Sequence, residues 1–391
     1  MTSAVPIYTD YDFYVPAFEV KIKGRSLDRD VLRDVIQVSY TDSLGQMDSC
    51  ELTINNWDAE ARTFKYSDSD IFDPGGQIEL YMGYYDRGGL TLMLRGTIVS
   101  LSPDFPAGGQ PTLQVRALNQ LYRLHFKQVT EPFRDKTDSQ IAQAILSKIN
   151  QEQPGLGLEL ETRPANQQIE TPHEYILINN DYPIIFLMER ARRNGYDIYI
   201  EDVDQNGRIV SKLHFHPPEG GPPATYKLEY GRTLISFKPT LKTAKQVSKV
   251  TVRGWDVRQA EAFQVSVTRD DLPTRGLPRQ EDMQAVDSAL SGSEIVIADQ
   301  PVTSRQEAEQ LARDHLQRLA NDLVTGSGST VGLPELRAGR PVYICGLGKR
   351  YSGRFVINTT THSISDGGYT TTFEARMEEL KSGGGKSPCE A

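Results

Sequence analysis

From Phe18 to Leu118 the chain repeats one cycle: a short stretch where apolar and polar residues alternate, then a turn or a polar loop. Alternation has the two-residue period of a half-buried strand. The stretches are Phe18 to Ile22, Val31 to Tyr40, Ser49 to Ile54, Gly76 to Tyr84, Leu90 to Leu101 and Thr112 to Leu118. Gly45 and Tyr85 to Gly89 supply turns, and Asn55 to Asp73 and Pro103 to Pro111 read as loops. Short strands at this spacing fold into a barrel or a sandwich.

The period then changes. Thr137-x-x-Gln140 forms a capping box, and Ile141, Ala144, Ile145 and Ile149 keep helical spacing behind it. A second helix is expected from Asp181, a cap residue, through Pro183 in the first turn. Ile184, Leu187, Met188 and Ala191 make its apolar stripe, and Arg190, Arg192 and Arg193 crowd its last turn before Gly195 ends it. A hairpin follows, with Tyr196, Ile198 and Ile200 alternating, an Asn206-Gly207 turn, and a return strand to His216. Between these helices Leu158 to Glu161 reads as one strand. Pro217 to Pro223 is the sharpest composition break.

Strands resume at Thr225 to Leu228, Leu234 to Lys238, Ser248 to Trp255 and Ala262 to Val267. Asp270 to Glu294 reads as surface chain. Ser304-x-x-Glu307 opens the longest helix, with Ala308, Leu311, Ala312, His315, Leu316, Leu319 and Leu323 on one face. Gly326 to Gly339 reads as a flexible connection, and strands at Pro341 to Cys345, Gly353 to Ser363 and Tyr369 to Arg376 close the fold.

Two stretches echo each other. In GGQIELYMGY and GRPVYICGLG a glycine precedes a strand whose inward residues are Ile78 and Leu80, or Val342 and Ile344. Gly83 and Gly346 follow, then Gly96 to Val99 and Gly353 to Val356. A repeated hairpin with glycines at the bends points to two related barrels.

At 391 residues there is room for two or three cores. A formal charge of −9 argues against a nucleic-acid grip. Cys50, Cys345 and Cys389 are far apart with no CxxC pair, so neither a disulfide framework nor a structural zinc site is expected, and a reducing compartment fits. Met1 to Phe18 lacks the basic and apolar regions of a secretory signal, and no apolar run reaches membrane-spanning length.

No sequence signature announces catalysis or a cofactor. Asp202-x-Asp204-x-Asn206-Gly207 matches half a calcium loop, but Leu213 stands where a bidentate glutamate is needed. His214 and His216 share one strand face, expected to be solvated. His315 in the apolar stripe is expected to be a hydrogen-bonded core residue. Glu159 and Glu161 share a face rather than flanking a cleft. The glycine-rich stretches Gly326 to Thr330 and Gly346 to Arg350 lack phosphate-loop spacing, and G-x-S-x-G and HExxH are absent.

In series, GQIELYMGY, LRGTIVSL, DYPIIFLMERARRNGYDIYI, KVTVRGWD, SRQEAEQLARDHLQRLA and LRAGRPVYICGLGKRYSGRFVINTTTHSI resemble the late control gene D family of contractile phages. That family is related to the hub half of valine-glycine repeat spike proteins. The resemblance implies a mainly β α+β chain: two tube-type barrels with a helix-and-hairpin domain between them. The expected segments are an arm at 1–17, a first barrel at 18–125, a middle domain at 126–236, a second barrel with the long helix at 237–380, and a tail at 381–391. It implies a homotrimeric baseplate hub joining a sixfold inner tube to a threefold spike. Fused relatives continue into a needle where this chain ends in a glycine tail, so a separate spike polypeptide is expected, with other baseplate proteins as further partners. Such a hub would assemble in the cytoplasm and then travel in a phage tail or a released particle. It would have no membrane anchor and no specific nucleic acid. The rival readings are a tail-tip cell-wall hydrolase and a monomeric carbohydrate- or protein-binding module. Arg340, Lys349, Arg350 and Arg354, the densest basic cluster, are the candidate subunit contact. An acidic lumen, repelling DNA or protein cargo, is the expectation for the channel wall.

Overall fold

The computed structural model describes all residues except 1–4, 7–14, 86–88, 154–155, 165, 167–169, 206–207, 218–223, 257–258, 273–276, 291, 301, 303, 379–388, 390 and 391. The Asn206-Gly207 turn, most of the arm and nearly all of the tail therefore lie outside the described residues.

The first barrel is built from β1 (Pro16–Ile22), β2 (Val35–Ser43), β3 (Ser49–Asn55), β4 (Gln77–Tyr84), β5 (Thr91–Asp104) and β6 (Thr112–Asn119). Their order across the sheet is β1-β4-β5-β6-β3-β2. Alternate residues of every strand turn into one core, among them Val20, Val38, Leu52, Ile78, Leu94 and Val115. Burying a side chain the size of Leu52 stabilises by roughly 1.5–3 kcal/mol, so this row of contacts dominates the barrel's energetics. The expected strand from Val31 begins later, because Arg29–Asp34 forms a short helix, α1.

The middle domain has a core of its own. Helix α2 (Asp138–Glu152) carries both bonds of the Thr137–Gln140 capping box. Helix α3 (Pro183–Asn194) ends on Gly195 at φ 66°, but its cap is Tyr182 and not Asp181. The Asp181 carboxylate accepts from the Tyr182 N–H instead, at 2.7 Å. Ile184, Leu187 and Ala191 are buried as the stripe predicts. Strands β7 (Asp197–Gln205) and β8 (Arg208–His216) pair antiparallel, and Leu158–Glu161 adds a parallel third strand. The pair Val129–Phe133 and Ile176–Asp181 was not legible by alternation.

The second barrel uses β9 (Tyr226–Glu229), β10 (Leu234–Leu241), β11 (Val324–Val331), β12 (Pro341–Cys345), β13 (Gly353–Ser365) and β14 (Gly368–Met377). Their order, β9-β12-β13-β14-β11-β10, is that of the first barrel strand for strand. One pairing differs: β9 runs parallel to β12, whereas β1 runs antiparallel to β4. Residues 226–236 thus pair with the second barrel and not with the middle domain. The first described residues, Val5–Pro6, lie parallel to Tyr226 and Lys227.

Two further expectations fail. Gly326 to Val331 is strand and not a flexible connection, because a Cβ on Gly326 or Gly328 would sit 2.3 or 2.8 Å from the Phe237 ring. The glycines there make room for an aromatic neighbour. Within 270–294 lies a helix, Gln280–Ala289, with Val286 buried. Between β10 and β11 the chain makes a three-stranded layer, Lys249–Asp256, Glu261–Thr268 and Glu294–Ile297, under helix Arg305–Asn321. That layer forms a fourth core. His315 on the helix is only half-buried, and its Nδ1 has no hydrogen-bond partner.

The cysteine expectation also fails in part. Cys345 at the end of β12 is disulfide-bonded to Cys389, while Cys50 is a buried free thiol.

Candidate functional site

The two barrels meet along one seam, where β2 pairs antiparallel with the second half of β13 from Ser43↔Thr359 to Gln37↔Ser365. This pairing is possible because β13 breaks step. Asn358 bulges out of the β13–β14 ladder, which re-aims the strand so that residues 359–365 leave β12 and present an open edge.

On the outer side the seam is closed by hydroxyls: Thr41 with Thr361 at 3.0 Å, Ser43 with Thr359 at 3.0 Å, and Gln37 donating to Ser363 at 3.1 Å. On the inner side it is closed by a buried ionic knot. The Asp42 carboxylate accepts from Arg337 Nε at 2.9 Å, from the Ala338 N–H at 3.1 Å and from the Thr360 hydroxyl. Arg337 lies 4.5 Å over the Tyr40 ring and donates to the Tyr40 hydroxyl and the Met93 carbonyl. Buried charge costs stability unless it is paired and hydrogen-bonded, and here both carboxylate oxygens accept. His362 donates from Nε2 to the Leu336 carbonyl at 3.0 Å and faces the Tyr369 and Thr371 hydroxyls with Nδ1. Burial pushes its imidazole down to about 4, so it is neutral. Asp48, beside the knot, is pushed up to about 7 by burial and then by the Asp42 charge.

A polar cleft of about 540 Å³ opens from this knot toward β7 and β8. His214 and His216 line it and are buried, not solvated, which corrects the sequence expectation. His216 Nδ1 faces the Pro217 carbonyl at 2.8 Å and so carries hydrogen, and its Nε2 lies 3.2 Å from His214 Nδ1. His214 Nε2 lies 3.0 Å from Glu201. That bond, against the cost of burial, holds the Glu201 carboxyl below the usual range. Arg340 completes the line at 3.3 Å from Glu201.

The four cations expected at a subunit contact do not act together. Arg340 is bound to Glu201 and Arg350 to Asp282, while Arg354 is buried against Glu378. Arg354 is therefore an internal staple, unavailable to a partner. Lys349 and Arg350 remain on the surface. Of the calcium-like segment, Asp202 accepts from the Ser211 hydroxyl at 2.5 Å. Glu161 pairs with Lys212 at 3.2 Å. Among the described residues no group of three or more His, Cys, Asp or Glu is arranged to hold a metal ion. No helix there is long and apolar enough to cross a membrane.

The knot was the part sequence reading missed, although one signal existed. Alternation on β2 puts Asp42 on the same face as Val38 and Tyr40, and a carboxylate at a core position requires a partner.

A family model described as the Alg8 N-terminal domain matches residues 13–366. No curated protein sequence matches the chain. Several solved structures share its fold. The 43 kDa tail protein of prophage MuSo2 from Shewanella oneidensis is 15% identical, with a TM-score of 0.67 over 92% of this chain and 98% of that one. A tail protein from Neisseria meningitidis MC58 is 12% identical, with a TM-score of 0.63 over 93% and 97%. The E. coli c3393 protein, a type VI secretion component, is 12% identical, with a TM-score of 0.57 over 93% and 77%. The fold is that of these phage-tail and type VI secretion proteins.

Proposed function

The chain belongs to the Alg8 N-terminal domain family, and we propose that it works as the structural hub of a contractile tail or injection particle. One observation carries the reading: a single polypeptide holds two barrels of identical strand order, already paired edge to edge through β2 and β13. Three such chains place six equivalent barrels around an axis, which lets one surface meet a sixfold tube and the other a threefold spike. The partners would be two further copies, an inner-tube protein, a spike and neighbouring baseplate proteins. The particle would assemble in the cytoplasm and then travel in a tail or a released particle.

The role is mechanical and not catalytic. Three of the carboxylates lining the polar cleft are held by basic side chains: Asp42 by Arg337, Glu378 by Arg354, and Glu201 by His214 and Arg340. The outer face of both sheets is the surface we assign to the channel. It is carpeted with hydroxyls, from Thr53 through Thr41, Thr361 and Thr372 to Ser327. Its charges alternate in sign, Glu51 against Arg116 and Glu374 against Lys238 and Arg376. On this assignment we propose a largely neutral hydroxyl wall in place of the acidic lumen expected for such a hub. Lys349 and Arg350 stay as candidate contacts with neighbouring subunits.

Light scattering on the purified chain, with electron microscopy of the same fraction, tests the proposal. A threefold particle with a central hole is expected, and a monomer at every concentration rejects it.

A further inference from the structure

The internal repeat is close enough to transfer contacts from one barrel to the other. Ile98 exchanges hydrogen bonds with Gly75 and Gly76 at 2.8 and 2.9 Å, and Ile357 does the same with Gly339 and Arg340 at 2.8 and 3.0 Å. Val99 bulges in β5 where Asn358 bulges in β13. Ile36 bulges in β2 where Ile235 bulges in β10, and both side chains are exposed, 41% and 59%. These fixed points align residues 98–104 with 357–363, and residues 35–42 with 234–241.

Within the chain, residues 359–365 are covered by β2. Among the described residues, no strand covers their counterparts from residue 100 onward in β5 on that side, nor β10 on the side away from β11. We infer that these two open edges pair with each other between copies of this chain, in the register that the internal seam dictates. This rests on the ring proposed above and names its joint. Ser43↔Thr359, Asp42↔Thr360, Thr41↔Thr361 and Tyr40↔His362 become Lys242↔Ser100, Leu241↔Leu101, Thr240↔Ser102 and Pro239↔Pro103.

The side chains fit that register. On the inner side, where the internal seam has its ionic knot, the copy seam brings Leu241 to Leu101 and Phe237 to Phe105, and Phe105 is 55% exposed in the single chain. On the outer side Ser102 meets Thr240 as Thr361 meets Thr41, and Ser39↔Ser363 becomes Lys238 against Asp104. Opposite charges directly across a strand pair are favourable.

The transfer also makes the two seams unequal. The Asn56 N–H bonds to the Pro111 carbonyl, which fixes the phase of the first barrel so that Pro103 turns its backbone to the open edge. The Lys242 N–H bonds to the Leu323 carbonyl, which turns Pro239 outward in the same way. The two prolines therefore face each other where each would have donated a hydrogen bond. The ring alternates seams with a full ladder and seams with a ladder interrupted at Pro103 and Pro239, so it comes apart into single chains and not within them.

Cysteines at Ser102 and Thr240 test the register, because these residues form a non-hydrogen-bonded pair whose side chains approach closely. The full chain carrying Ser102→Cys and Thr240→Cys is incubated with oxidised glutathione, which is reduced as the protein thiols join. Covalent species of up to three chains are expected on denaturing gels. They should be absent for either single variant and weak for Ser100→Cys with Thr240→Cys, which is two residues out of step. A threefold particle with no cross-link, or with the out-of-step pair cross-linking better, overturns the register and leaves the hub reading standing. A chain monomeric at every concentration overturns both. The second arm replaces Pro103 and Pro239 by valine, restoring two backbone donors. At least a tenfold fall in the concentration at which the particle dissociates is expected, and no change overturns the facing of the prolines.

Discussion

Strands β2 and β10 hold the same place in their barrels, carry the same bulge, and meet different surroundings. Along β2 the inward residues are Val38, Tyr40 and Asp42, and the last two are tied into the buried knot at the seam. Along β10 the same positions hold Phe237, Pro239 and Leu241, facing an edge that no strand covers among the described residues. The difference extends into the cores. Val38 pairs with Leu52, whereas Phe237 pairs with Gly328, so one large and one small residue replace two of middling size. What the repeat preserves is backbone geometry, not residue identity.

The largest effect is expected where β2 differs most from β10. Arg337→Ala leaves Asp42 buried with its cation gone and should destabilise the chain by roughly 3–5 kcal/mol. Arg337→Ala with Asp42→Leu installs the leucine that β10 carries at the matching position, and should recover part of that loss. Chemical denaturation of the three chains reads both, and a single variant as stable as wild type would break the idea that the seam depends on the knot.

Next comes the exchange of volumes. Phe237→Val alone opens a cavity and should cost about 2–4 kcal/mol. Gly328→Leu alone forces a side chain onto Phe237 and Phe373, at a cost of about 1–3 kcal/mol or more. Together they recreate the Val38–Leu52 pair of the first barrel. The double variant should lie well above the sum of the two losses, and strict additivity in thermal melts would mean that the barrels pack by unrelated rules.

These positions also explain what the sequence disclosed. Ile78 and Leu80 against Val342 and Ile344 were readable as a repeat because both strands keep plain alternation. Matching Gly96 to Gly353 misaligned the second half by two residues: the structure superposes Gly96 on Phe355, because Gly96 pairs with Ile78 and Phe355 with its counterpart Val342, a register that no residue type marks. Strand β11 was hidden since Gly326 and Gly328 resemble a linker until Phe237 is seen against them. The seam was half legible. Asp42 at an inward position announced a partner, but Arg337 lies 295 residues away in sequence, and only the fold brings it there.

Acid and alkali pull the seam in opposite directions. Asp48 is raised in the folded chain from 3.8 to about 7, so the folded state holds its proton more tightly than the unfolded state. Its contribution is fully present below pH 4 and is lost as pH rises through 7. His362 is lowered from 6.5 to about 4, so its contribution is present above pH 6.5 and is lost as pH falls toward 4. Asp48→Asn removes the first dependence and can still accept from Asn119. It should raise the melting temperature at pH 8, by a stability on the order of 1–2 kcal/mol, and change it little at pH 4. A gain of equal size at both values would show that Asp48 does not titrate in this range.

The smallest expected effect belongs to the one covalent feature without a counterpart. Cys345 on β12 aligns with Tyr81 on β4, which donates to Glu79 and lies under Lys21. The first barrel thus ties down this strand with side chains, and the second with a bond to Cys389. Closing a loop across 44 residues restricts the unfolded chain, and comparable native bonds contribute about 2–4 kcal/mol. Part of that should be absent here, because a β13–β14 hairpin persisting in the unfolded chain already restricts the same segment. Cys389→Ser should therefore lower stability by only about 1 kcal/mol. Hydrogen exchange would place the loss at the end of β12 and along β9, the strand it pairs with, while the first barrel exchanges as before. A protection loss spreading across the seam into β2 would mean that the two barrels melt as one unit.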